Sequence, residues 1–169
     1  LGHVIIPPDE LTKIRKKEAE RAGSLAGIEV IGGMFNDLDI FDNNKAARDK
    51  MVEVIKYAQP DFIITHNPDD YMPDHTAVSR LVFDASFTAT LPNYKCGGEK
   101  TAKLVPIYYM DTLAGVNFNP TEFVDISDEI DLKIKMLECH ESQLVWMREH
   151  DGIDFADMVR TCSRYRGYQ

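Results

Sequence analysis

Five side chains able to bind a metal or move a proton, His66, Asp69, Asp70, Asp74 and His75, fall within ten residues of one another. Imidazole and carboxylate are the natural donors of a hydrolytic metal site, which takes three protein ligands and leaves one position open. Such a metal lowers the pKa of water to roughly 7 and polarises a carbonyl. His75 is the expected donor to a divalent cation, Zn2+ first and another divalent metal as the alternative, in the service of amide hydrolysis. Asp74 is its immediate neighbour and a candidate to orient a second group, as outer carboxylates do. Spacing alone assigns no second or third ligand. Pro73-Asp74-His75 also reads as nothing more than a helix start.

Around these residues the chain supplies a frame. Phe62-Ile63-Ile64 is a short apolar run of the kind that fills a buried strand. Residues 76–87 read as a helix, so the charged loop lies between strand and helix, where open α/β sheets place their ligand sites. Upstream, Pro8-Asp9-Glu10 starts a helix with Leu11, Ile14, Glu18, Ala22 and Leu25 on one face, ended by Gly27. Ile28–Ile31 reads as a short strand, and Asn43 or Asn44 caps a second helix carrying Met51, Val52 and Ile55. Downstream, Pro92–Lys100 is a turn-rich surface loop, Leu104–Met110 a strand and Phe123–Ile126 another. Ser127 starts a long helix with Ile130, Ile134, Leu137, Leu144 and Met147 inward and Gly152 at its end. A last helix begins near Asp154. Strands alternating with helices predict an α/β fold with a mostly parallel sheet, in one domain over 1–169.

Composition excludes several classes. A net charge of −9 does not suit a nucleic-acid binder, whose phosphate contacts need Lys and Arg. The basic run Lys13–Lys17 is interleaved with Glu10, Glu18 and Glu20, as on a solvated helix face. No apolar run approaches the ~18 residues of a membrane span. Cys96, Cys139 and Cys162 are odd in number and widely spaced, which predicts a reducing, cytoplasmic setting without disulfides. A homo-oligomer is compatible with all of this.

Other residues carry two readings each. Arg15 is a surface charge or a clamp for a polar substrate. Asp39 is a turn residue or an acceptor for sugar hydroxyls. His66 is a core-edge imidazole or part of the site. His140, midway along the long helix, is packing or function, and Arg164 and Arg166 are tail charges or more.

Thr65-His66-Asn67-Pro68 followed by Asp70-Tyr71-Met72-Pro73-Asp74-His75 resembles the second signature of the LmbE-like, or PIG-L, deacetylase family, which typically ends in His-Pro-Asp-His. Arg15-x-x-Glu18-x-x-x-Ala22 looks like that family's first helix, Tyr108–Thr112 its later strand, Lys133 to Gln143 its long helix and Arg164–Gly167 its tail. The resemblance implies a three-layer Rossmann-like sandwich, zinc, and removal of an acetyl group from an N-acetylglucosamine-type substrate. It implies metal ligation by His75, with Asp74 in support and Arg15 and Asp39 on the substrate. Two departures stand out. The family's Ala-His-Pro-Asp-Asp motif, source of two zinc ligands and the general base, is absent, so the chain is expected to be a fragment short at both ends, lacking the N-terminal strand and needing residues before Leu1 for activity. Met72 replaces the first His of His-Pro-Asp-His, and a thioether donates no hydrogen bond. His66 or Tyr71 then substitutes, or the metal acts alone, or the protein is a degenerate carbohydrate-binding relative. Hydrolysis of another amide is the remaining alternative.

Overall fold

The computed structural model describes residues 5–32 and 35–169. They form two compact units, Met34–Thr121 and a discontinuous one made of Leu1–Gly33 with Glu122–Gln169.

The continuous unit holds helix α2 (Lys45–Ala58), strand β1 (Ile63–Thr65), helix α3 (Pro73–Thr88) and strand β2 (Ile107–Tyr109). β1 and β2 run parallel, with Ile63 opposite Ile107, Ile64 opposite Tyr108 and Thr65 opposite Tyr109. The Ile63 amide donates to Pro106 O at 3.0 Å and the Met110 amide to Thr65 O at 2.8 Å, extending the ladder at both ends. Parallel strands need a long crossover, and α3 provides it. Asn44 caps α2, its Oδ1 accepting from the amides of Ala46 and Ala47 at 2.9 and 3.4 Å. α3 starts at Pro73, three residues before the expected start, because proline at the first helical position has no amide to leave unsatisfied.

α2 and α3 pack through small residues. Val52 and Ile55 meet Ala85, Ala89 and Ala102, with Met51, Ile63 and Tyr94 around them. The segment Pro92–Lys100 is tied down more firmly than a surface loop. Lys56, itself buried, donates from Nζ to the carbonyls of Tyr94, Cys96 and Gly98 at 2.7, 2.8 and 3.3 Å. Gly97, with φ +69°, lies so close to α2 that a Cβ would fall 2.8 Å from Glu53 Cα, which requires glycine there.

The discontinuous unit packs α1 (Pro8–Ala26) against α4 (Ile130–Glu138) and α5 (Glu141–Trp146), with α6 (Phe155–Gly167) on α4. Gly27, φ +65°, ends α1 in the left-handed conformation expected of a C-terminal glycine. Leu11, Glu18 and Ala22 are buried as the periodicity predicts, whereas Leu25 is exposed. The expected single long helix is broken at Cys139–His140, and three polar residues of α1 occupy the break. Arg21 donates to Cys139 O at 2.5 Å, Glu18 accepts from both the amide and the hydroxyl of Ser142 at 2.8 Å, and Arg15 donates to Gln143 Oε1 at 2.7 Å. Backbone groups at a helix end need partners, and these side chains supply them. His140 therefore sits at the N-cap of α5 rather than in mid-helix.

Neither Ile28–Ile31 nor Phe123–Ile126 is a strand; β1 and β2 are the only paired strands among the described residues. A strand exists only through its ladder partner. Residues after Gly27 instead fold back on α1, the Ile28 amide donating to Gly23 O at 3.0 Å.

Leu81 is fully buried on α3. Leu81→Ala is expected to lower unfolding free energy by about 2–5 kcal/mol, read as a drop in denaturation midpoint at unchanged slope.

Candidate functional site

The site is built where the chain leaves β1, crosses a loop and enters α3. Thr65 is buried, and His66 follows it at the strand's carboxyl end. The Asp70 amide closes a turn on Asn67 O at 3.2 Å. Its carboxylate then does two things. Oδ1 accepts the Met72 amide at 2.9 Å, an Asx turn that sets up the helix start, and Oδ2 meets His75 Nδ1 at 2.9 Å. The Asp70 side chain is 2% exposed while that of His75 is 36% exposed.

Burial pushes the Asp70 carboxyl up, but the Met72 amide, the His75 hydrogen bond and the two imidazoles outweigh it and hold it below the ordinary carboxylate value. An ionised carboxylate only accepts, so the shared proton sits on His75 Nδ1. Nε2 is the ring nitrogen that Asp70 does not engage, as in a metal-ligating histidine backed by its outer carboxylate.

His66 stacks on His75, centroids 4.3 Å apart with 29° between planes. Its Nδ1 is buried with no hydrogen-bond partner among the described residues. Burial pushes its pKa below 6.5, and the His75 ring adds to that against the opposing pull of Asp70.

Asp74 lies in the first turn of α3 and points elsewhere. Its Oδ2 accepts the Leu38 amide at 2.7 Å. Leu38 is held at φ +61°, a left-handed conformation costly for a branched residue. A second tether lies further along α3, where Arg80 donates to Asp42 at 3.0 Å. Asp39 is exposed within that tethered segment, its amide turned onto Asn36 O at 3.3 Å. Tyr71 is exposed beside the Asx turn. Met72 occupies the N-cap of α3 and contributes no side-chain cap. Thus the loop, α3 and the Leu38 segment unite His66, Asp70, Met72, Asp74 and His75 and carry Asp39 nearby in sequence. Arg15 belongs to the other unit, where its partner is Gln143.

Asp70 stands in the sequence among the five candidate donors, but its role behind His75 is assigned only by the structure. Its signal was present: an Asp two residues before a helix N-cap is placed for an Asx turn. Among the described residues no group of three or more His, Cys, Asp or Glu is arranged to hold a metal. His75 fits one donor position and Asp70 the position behind it.

Comparison with known proteins places this geometry in context. The family model described as PIG-L, GlcNAc-PI de-N-acetylase, matches residues 2–86, or 85 of the 169. The 4-oxalmesaconate hydratase of Pseudomonas putida is 28% identical over 141 residues, 79% of this chain and 54% of that protein. The diacetylchitobiose deacetylase of Thermococcus kodakarensis is 29% identical over 150 residues, 81% of this chain and 53% of that protein. The chain thus spans about half the length of the curated relatives it matches. The crystal structure of a conserved protein from Thermus thermophilus superposes with a TM-score of 0.73 at 26% identity, covering 92% of this chain and 67% of that one. The fold is therefore shared with that protein, and the parallel pair with its helices is part of it. No helix among the described residues is long and apolar enough to cross a membrane.

The depressed His66 pKa fixes a sign. The unfolded chain binds a proton near pH 6.5 that the folded site resists. Stability present above that value is lost as pH falls toward the lower folded pKa. Urea midpoints measured between pH 7.5 and 5 should decline, and His66→Phe should flatten that decline.

Proposed function

The chain belongs to the PIG-L family, and from that premise we propose that it forms the catalytic region of a metal-dependent N-deacetylase acting on an N-acetylated amino sugar. The observation that carries the reading is the Asp70–His75 pair, which directs Nδ1 of His75 to a carboxylate and leaves Nε2 as the other ring nitrogen, in the first turn of α3 just after the loop that leaves β1. The diacetylchitobiose deacetylase relative supports the choice of substrate class.

A divalent cation, zinc by preference, supplies Lewis-acid polarisation of the acetyl carbonyl and of water when bound. His75 would hold it through Nε2. Asp70 keeps the Nδ1 proton in place and fixes the ring's orientation, and the stacked His66 restricts rotation on the other face. Asp74 acts by holding the segment that carries Asp39, the proposed acceptor for sugar hydroxyls. Met72 offers no hydrogen bond to a developing oxyanion. The neutral His66 and the exposed Tyr71, on the same loop, are the proposed donors in its place. Arg15 is proposed as a substrate contact by family resemblance only.

A second reading is favoured by Met72 together with the hydratase relative. In it the same donor pair serves addition of water across a carbon–carbon double bond of an organic acid, hydroxyl adding to one carbon and a proton to the other, a reaction that forms no tetrahedral amide intermediate.

The deciding experiment is acetate release from N-acetylglucosamine and N,N′-diacetylchitobiose by the full-length polypeptide, with zinc, with chelator, and with zinc restored. Chelator-sensitive release is expected; its absence from zinc-loaded protein on both sugars overturns the proposal. Asp70→Asn should weaken zinc binding about 10–100-fold, as loss of an outer carboxylate does, and His75→Ala should weaken it further, both read by competition with a chromogenic chelator. Met72→His should raise kcat for deacetylation, toward the roughly 10²–10³-fold contributed by one oxyanion donor. No gain would mean that another side chain already fills that role.

A further inference from the structure

The break between α4 and α5 has no local cause. Sharp bends in helices come from proline, glycine or a group inserted into the hydrogen-bond ladder, and no proline or glycine lies between Ile130 and Asp151. The apolar positions Ile130, Ile134, Leu137 and Leu144, spaced by four, three and seven residues, keep one helical register across it. Cys139 retains helical angles, φ −65° and ψ −22°. His140 is the residue that departs, at φ −88° and ψ 55°. Turning that one ψ by about 100° restores helical geometry.

What the bend removes, α1 replaces. In a continuous helix the Ser142 amide would donate to Glu138 O and the Gln143 amide to Cys139 O, each four residues back. Here the Ser142 amide donates to the Glu18 carboxylate at 2.8 Å, and Cys139 O accepts from the Arg21 guanidinium at 2.5 Å. The Gln143 amide turns to His140 O at 3.1 Å. The two side chains thus stand in for one carbonyl and one amide of the missing ladder. Glu18 is buried, and a buried carboxylate stripped of its donors is costly. The docked α1 therefore holds the bend, and the bend satisfies α1.

α5 is lightly held. None of its residues is buried. It packs against α1, whereas α6 packs against α4. It continues into a π turn, Met147–Asp151, where Trp146 stacks on His150 with centroids 4.3 Å apart, so helix and turn form one body. Gly152, at φ +66°, and the two residues after it belong to no helix and give that body a second pivot.

We propose that residues 130–151 form a two-state hinge that pivots at His140. With α1 docked the hinge is bent. When Glu18 and Arg21 withdraw, the Ser142 and Gln143 amides return to Glu138 O and Cys139 O, α4 and α5 join into one helix, and Gln143 leaves Arg15. The same backbone groups are satisfied in both states, through α1 in one and through the helix itself in the other, so neither state bears the penalty of unmade hydrogen bonds. The direction of α5 and of Trp146 thereby depends on the docking of α1.

The test reads backbone geometry by NMR in the folded chain, independently of any activity. The Cα chemical shift of His140 distinguishes its present ψ from a helical one. Arg21 is exposed, so Arg21→Ala leaves the buried residues of α1 in place. It should raise the population of the straight state about tenfold or more, the worth of one hydrogen bond to a charged group, read as exchange-saturation transfer to a helical shift at His140 and Ser142. Adding Glu18→Ala should make the straight helix the major state, with helical shifts unbroken over residues 136–144. Glu18→Gln alone keeps an acceptor for the Ser142 amide and should keep the bend. The hinge is overturned if Arg21→Ala shows no exchange to a helical His140, or if the folded double variant keeps the present His140 shift or loses helical shifts over residues 141–146. Should the double variant not fold, the exchange result in Arg21→Ala decides.

Discussion

A single buried carboxylate organises the loop between β1 and α3. Asp70 accepts from a backbone amide with one oxygen and from His75 with the other. The first bond determines where the loop ends and α3 begins. The second determines which nitrogen of His75 carries the proton and which way the ring faces. Such a carboxylate must stay ionised although it is almost wholly removed from water, and it does so because both oxygens are satisfied by donors. Local folding and ligand orientation are thus one constraint. A change that unsettles the helix start also disturbs the His75 ring, since the two depend on opposite oxygens of one group.

The other unit uses the same device at a helix break. Glu18 is buried, yet it accepts two hydrogen bonds from Ser142, and Arg21 meets the carbonyl left open at Cys139. An uninterrupted helix over this span would satisfy its own backbone. The break exposes amides and carbonyls that only a neighbouring helix can serve, so α1 presents Arg15, Glu18 and Arg21 at three-residue intervals along one stripe. Two motifs that look independent in sequence, Arg15-x-x-Glu18 and His140-Glu141-Ser142-Gln143, prove to be the two halves of one contact.

This explains what could and could not be read from the residues. Helices with explicit end signals were legible: Pro8 and Gly27 bound α1, Asn44 starts α2, and Asp154 caps α6 through the Asp157 amide at 3.1 Å. The apolar runs at Ile63 and Ile107 marked the parallel pair. Ile28–Ile31 and Phe123–Ile126 have the composition of strands, but a ladder is a property of two segments, and composition describes one. The broken helix was illegible for a related reason, because the groups that tolerate the break lie more than a hundred residues away. At the site, His75 and Asp74 stood out by type. The role of Asp70 depends on geometry across a turn, and the Asp74 bond to Leu38 joins segments 36 residues apart.

Two features of the molecule pull the choice of chemistry in opposite directions. Met72 removes a donor that amide hydrolysis would use and that hydration would not miss. Charge argues the other way. The chain carries a net charge of −9, and the open cleft lined by Ser79, Phe83 and Tyr109 is rimmed by two carboxylates, Asp42 and Asp84, and one guanidinium, Arg80. An organic acid anion entering that cleft would meet repulsion at close range, where a partly dry wall weakens screening. A neutral sugar would not. The missing donor is a local defect, and a neighbouring imidazole or phenol on the same loop can offset it. The sign of the rim is set by Asp42 on one segment together with Asp84 and Arg80 on α3. Within the proposed reading, the charge of the rim weighs for an uncharged N-acetylated sugar over an organic acid anion.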